Sequence, residues 1–171
     1  MAYKGNNTMI YALNYKTVYC LMLGGIGLWS FLWRQMKWWE RLWKILNTVM
    51  CLIVLYLVLK YTVLNRVPSN NHQFMIFAPY SSEFYREMLM NVMLFYPLGL
   101  TLTVLIGSWS IVVAFVLSFG IEVWQYVAGT GVAQGSDVLM NTLGCVVGAV
   151  PYFIRCVWRK IEKTKIQMNR K

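Results

Sequence analysis

Residues 91–128 read NVMLFYPLGLTLTVLIGSWSIVVAFVLSFGIEVWQYVA, and this stretch decides the fold. It holds one charged side chain, Glu122, and only Gly107, Ser108 and Trp109 offer a turn. A helix of about 20 apolar residues crosses the roughly 30 Å hydrocarbon core of a bilayer. The stretch is therefore read as two spans, Asn91–Gly107 and Trp109–Ala128, folded back on each other with almost no linker.

The neighbouring sequence extends the pattern. Ile45–Leu64 runs without a charge until Lys60, and Val138–Trp158 meets its first charge at Arg155. An earlier block, Thr17–Trp33, is just long enough to cross but carries Gly24, Gly25 and Gly27. Charged residues make up 13% of the 171, against about 25% in soluble domains, and 58% are hydrophobic. A soluble fold lacks the charge to cover its surface at that composition. The expectation is an all-α, polytopic transmembrane helix bundle of about five spans, a single domain over residues 1–171. If Thr17–Trp33 fails to cross, the N-terminus changes side and nothing else does. A cleaved signal peptide is not expected, because Arg34 follows the first apolar block directly with no small-residue site before it.

Lysine and arginine number 16 against 6 acidic residues, a net charge of +10. The basic residues flank apolar blocks, so they point to topology and anionic lipid, and no nucleic-acid partner is expected. Segment 34–44 carries Arg34, Lys37, Arg41 and Lys44; the tail carries Arg155, Arg159, Lys160, Lys163, Lys165, Arg170 and Lys171. Short loops rich in Lys and Arg stay in the cytoplasm. This places both segments and the C-terminus inside, and the N-terminus and loops 65–88 and 129–137 outside. Most tryptophans then fall at the inner interface, with Trp124 alone near the outer one. At 100° per residue the four basic residues of 34–44 share one face, and Trp38, Trp39, Leu42 and Trp43 the other. That pattern predicts a basic amphipathic helix lying in the membrane plane near 33–44.

The four cysteines, Cys20, Cys51, Cys145 and Cys156, sit in apolar segments without C-x-x-C spacing, as buried small hydrophobes would. His72 is the only histidine, so neither a metal site nor a cofactor is expected. Polar residues within spans are costly and mark candidate sites. They are Glu122 with Gln125 at i+3, Asp137 with Asn141 at i+4, and Asn91. With Arg66 they lie at one depth, towards the outer leaflet. Plainer readings stand beside this one: Gln125 and Asn141 as interhelical hydrogen-bond glue, Asp137 as an N-cap, Gly144 and Gly148 as a close-packing face. Glu122 needs a cation or a proton, and Arg66 and Arg86 are the available cations on that side. Arg66 is expected within salt-bridge reach of Glu122 or Asp137.

Three of these stretches also carry a resemblance. Asn91-Val-Met-Leu-Phe-Tyr-Pro97-Leu-Gly99, Ile121-Glu122-Val-Trp-Gln125 and Asp137-Val-Leu-Met-Asn141-Thr-Leu-Gly144 resemble the N-x-x-L-F-x-P-x-G, I-E-x-x-Q and D-V-x-x-N-T-x-G motifs of the VanZ-like family. Arg66 and Phe77-Ala-Pro79-Tyr are similar to that family's arginine and proline-containing segment. The resemblance covers roughly residues 60–158. One departure is Gly131, which sits about where family members carry a loop arginine. The resemblance implies a bacterial plasma-membrane protein, no established enzymatic activity, and a link to low-level resistance to teicoplanin, a lipid-tailed glycopeptide antibiotic aimed at cell-wall precursors.

The function expected is therefore that of a cell-envelope protein binding a lipid or lipid-tailed ligand near the outer leaflet. Arg66, Asn91, Glu122, Gln125, Asp137 and Asn141 would form the site, with Pro97, Gly99, Gly144 and Gly148 in structural roles. Membrane lipids, a lipid-tailed antibiotic or a cell-wall precursor are the partners in view, and the oligomeric state is left open. Two alternatives remain: an enzyme on a lipid-linked substrate with Glu122 and Asp137 as acid and base, and a small transporter or flippase subunit.

Overall fold

The computed structural model describes residues 24, 25, 28, 40–68, 72–77 and 82–169. Four helices dominate: α1 (Glu40–Leu59), α2 (Ser82–Ile106), α3 (Trp109–Ala128) and α4 (Gly135–Met168). Each is long and apolar enough to cross a membrane, so the chain is a polytopic helical membrane protein. Most of the expected first span lies outside the described residues, as do residues 33–39.

The hairpin turns where its residues demand. Gly107 takes a left-handed backbone, φ 63°, and its N–H returns to Thr103 O at 2.9 Å. Without a Cβ it adopts this conformation at little cost, so α3 starts two residues later. Gly129, φ 60°, ends α3 in the same way, with Thr130 N–H bonded to Gln125 O at 3.1 Å.

Three boundaries differ from the sequence reading. Glu40–Lys44, expected in the membrane plane, belongs to α1 and runs straight into the span Arg41–Leu64. Nothing between Lys44 and Ile45 breaks a helix, and Trp43 packs inward, 8% exposed. Asn91, expected to open its span, lies nine residues inside α2, because the polar run before it continues the helix. Cys156, expected to be buried, is exposed, whereas Cys51 and Cys145 are buried.

Packing follows the small residues. A Cβ at Gly144 would overlap Val92 O, and one at Gly148 would overlap Tyr96 O. The two contacts advance together along both chains, so α2 and α4 run parallel with their backbones nearly touching, as small-xxx-small faces allow. Gly99 sits equally close to Cys145 O. Between α3 and α4, Asn141 Nδ2 donates to Ser118 Oγ at 2.8 Å and Cys145 Sγ to Ser110 O at 3.6 Å. Here one chain rises as the other falls, so these helices are antiparallel. Asn47 Nδ2 donates to Thr101 O at 2.8 Å and ties α1 to α2. Phe95, Leu98, Val58, Ala114, Ile121 and Cys145 form the shared core.

One end of the bundle is closed by a small clasp. β1 (Phe74–Met75) pairs in parallel with β2 (Ala133–Gln134), Phe74 opposite Ala133 and Met75 opposite Gln134. His72 Nδ1–H donates to Tyr126 O at 2.7 Å and pins the same strap to the top of α3. The other end carries the Gly107–Ser108 turn and the basic last turns of α4. At 34 residues α4 is about 51 Å long, so those turns extend beyond a hydrocarbon core of roughly 30 Å.

Candidate functional site

The clasp end gathers the ionisable groups. Glu122 lies six residues before the end of α3, about 9 Å below it at 1.5 Å per residue. Asp137 is in the first turn of α4. Antiparallel packing brings them to one end of the bundle, and each carboxylate finds an uncharged partner. Glu122 Oε2 accepts the Gln134 backbone N–H at 2.7 Å. The Asp137 carboxylate accepts from the Asn91 side chain. A carboxylate bonded to a backbone N–H is a strong, charge-assisted arrangement. It also explains the clasp, because β2 holds the Gln134 N–H over α3.

Arg66 is the cation whose charge reaches both carboxylates. Its side chain is exposed at the head of the strap, and its guanidinium lies over Gly131. A Cβ there would stand 2.7 Å from Nη1. The position that lacks the loop arginine is thus floor space for a different arginine. Arg66 acts on the carboxylates through space from the loop surface, rather than as a buried partner.

Gln125 and Asn141 have other work. Gln125 is 1% exposed and its Nε2 donates to Thr62 O at 3.1 Å. Thr62 lies in a π-helical turn, Lys60–Leu64, that continues α1. Asn141 is engaged with Ser118 as described. Both amides are spent on joining helices. Their carbonyl oxygens, Gln125 Oε1 and Asn141 Oδ1, are buried without a hydrogen-bond partner. Pro97 lies inside α2, and Gly99, Gly144 and Gly148 serve the α2–α4 contact.

Beside Glu122 a groove of about 610 Å³ opens on the flank of the bundle between α3 and α4. Phe115, Phe119, Val123 and Tyr126 of α3 form one wall; Val138 and Leu139 of α4 form the other; Phe74 of β1 and the β2 residues close the end. Its size is that of small-molecule sites, about 300–1,000 Å³. Among the described residues, Glu122, 5% exposed, is the one acidic group on the lining, and no serine, cysteine or histidine lines it. Among the described residues, no three His, Cys, Asp or Glu side chains gather as a metal ion would require.

Three participants escaped the sequence reading. Glu87, on α2 four residues before Asn91, places its charge near Asp137; the i, i+4 spacing was the available signal. The groove wall escaped too, although Phe115, Phe119, Glu122, Val123 and Tyr126 share one helical face. So did the Gln134 N–H, since two-residue strands leave no pattern.

Fold and site together define a helical membrane protein with a carboxylate-headed lateral groove. The chain belongs to the VanZ/LLP1 family, whose model matches residues 16–156. That match begins well before residue 60, so the first expected span is part of the family's extent. No curated protein and no solved structure matches the chain.

Proposed function

We propose that this protein is a non-enzymatic component of the bacterial cell envelope that holds a lipid or lipid-tailed ligand at the clasp end of the bundle. That end faces the exterior, and the basic tail faces the cytoplasm, as the distribution of Lys and Arg supports. The observation that carries the reading is the lateral groove itself: apolar walls open to the acyl phase, with the Glu122 carboxylate at the depth where a head group begins. Family membership supports a bearing on the response to lipid-tailed glycopeptides such as teicoplanin.

Photo-crosslinking tests the reading. A phospholipid carrying a diazirine in its acyl chain, reconstituted with the protein, should label Phe115, Phe119 and Leu139 above the other lipid-facing residues. Leu139→Trp should suppress that labelling by filling the groove. Even labelling around the bundle, unchanged by Leu139→Trp, would refute the groove. Surface binding of a fluorescent lipoglycopeptide tests the antibiotic arm, and equal binding by wild type, Glu122→Ala and empty-vector cells would remove it.

A further inference from the structure

The charge of the groove's polar end specifies its head group. The chain carries +10 overall, yet residues 60–141 hold Lys60, Arg66 and Arg86 against Glu83, Glu87, Glu122 and Asp137. Around the groove the imbalance is local. Glu122 lines it, the charge of Asp137 reaches Glu122, that of Glu87 reaches Asp137, and among the described residues Arg66 is the cation acting on both inner carboxylates. The Glu122 carboxylate stands at the end of an otherwise apolar slot, and the Arg66 guanidinium acts on it and on Asp137 behind it. Only one Glu122 oxygen is bound to the Gln134 N–H, and a carboxylate has lone pairs for further donors.

Resting on the lipid-binding reading above, we propose that the groove selects a membrane lipid whose head group ends in a primary ammonium. The ammonium is set against Glu122, and the lipid phosphate lies towards Arg66. The positions match such a zwitterion. Arg66 stands over Gly131, two residues before Ala133 in the groove wall, while Glu122 lies on the α3 wall. From Glu122 to Phe115 the wall runs seven residues along α3, about 10 Å of apolar surface for the start of an acyl chain. A primary ammonium is compact and carries three N–H donors, so in a slot poor in water it can make charge-assisted bonds to the carboxylate. A trimethylammonium offers no donor. A wholly anionic head group meets Arg66 but also the Glu122 carboxylate on the groove wall.

The test is native mass spectrometry of the full-length protein exchanged into equimolar phosphatidylethanolamine, phosphatidylcholine and phosphatidylglycerol of matched chains. The retained lipid should be phosphatidylethanolamine by about tenfold, the factor supplied by one charge-assisted hydrogen bond. In Glu122→Gln that ratio should fall towards one. Phosphatidylglycerol retained equally or better would overturn the ammonium, and phosphatidylcholine retained equally would overturn the need for N–H donors. Should Glu122→Gln fold poorly, the same ratios in the wild-type protein decide the matter. Retention of no lipid that Leu139→Trp displaces would instead defeat the groove reading, a separate result from a lipid bound without head-group preference.

Discussion

The Arg66 guanidinium rests on Gly131, close enough that a Cβ on the glycine would stand 2.7 Å from Nη1. Glycine at 131 therefore leaves the room in which a positive charge acting on both Glu122 and Asp137 sits. An arginine in the loop at 131 and the arginine at 66 would compete for one place.

Gly131→Ala is expected to move the charge without unsettling the bundle. What must yield is the end of a flexible, exposed side chain, so the stability change should stay within about 0.5 kcal/mol. The check is thermal unfolding in detergent beside the phosphatidylethanolamine ratio. A loss of several kcal/mol would show Arg66 wedged against backbone instead.

The glycines between α2 and α4 should behave differently. A methyl group at Gly144 or Gly148 meets backbone of α2, at Val92 O or Tyr96 O, and neither can rotate away. Gly144→Ala and Gly148→Ala should each destabilise the protein by about 1–3 kcal/mol, the usual range for overpacking. Gly120→Ala is the control, since nothing lies within 4 Å of its added Cβ. Equal unfolding temperatures for the three variants would contradict the parallel contact.

The Asn141–Ser118 bond joins α3 to α4 at 2.8 Å. In a double-mutant cycle with Ser118→Ala and Asn141→Leu, the coupling should be about 0.6–1.7 kcal/mol. Ser118→Ala leaves a buried amide without its acceptor, so it should cost more than the double variant. A coupling of zero would mean the bond contributes nothing to packing.

Orientation is accessible to labelling. In a Cys156→Ser background, Gln73→Cys should react with an impermeant maleimide on intact cells, and Lys163→Cys only after permeabilisation. The reverse pattern would turn the groove towards the cytoplasm.

The parts of the fold legible in the sequence were those written in single residues or short periods. Gly107 marked the hairpin turn because few other residues tolerate its φ. Gly144-x-x-x-Gly148 marked a close-packing face. Glu122 announced itself as the only charge in residues 91–128. What the sequence hid depends on distant pairing. The β1–β2 clasp joins residues about sixty positions apart through two-residue strands, too short for any alternation to register. Without the clasp, the Gln134 N–H could not be assigned to Glu122, and attention fell on Arg66 as a buried partner. The start of α2 was missed for another reason. The polar residues of Ser82–Met90 hide the start of the helix from hydropathy, although α2 already runs through them.

The Glu122–Gln134 bond also bears on how the chain is made. The carboxylate is synthesised twelve residues ahead of the N–H that donates to it, and that N–H comes into place only when β2 lies against β1. While α3 first enters the bilayer, Glu122 has no such partner, and an unpaired ionisable side chain within a membrane helix is costly. The other nineteen residues of α3 carry no second charge, and the hairpin with α2 is already tied by its two-residue turn. The carboxylate therefore gains this partner only once the chain beyond α3 has been made and β2 has paired with β1.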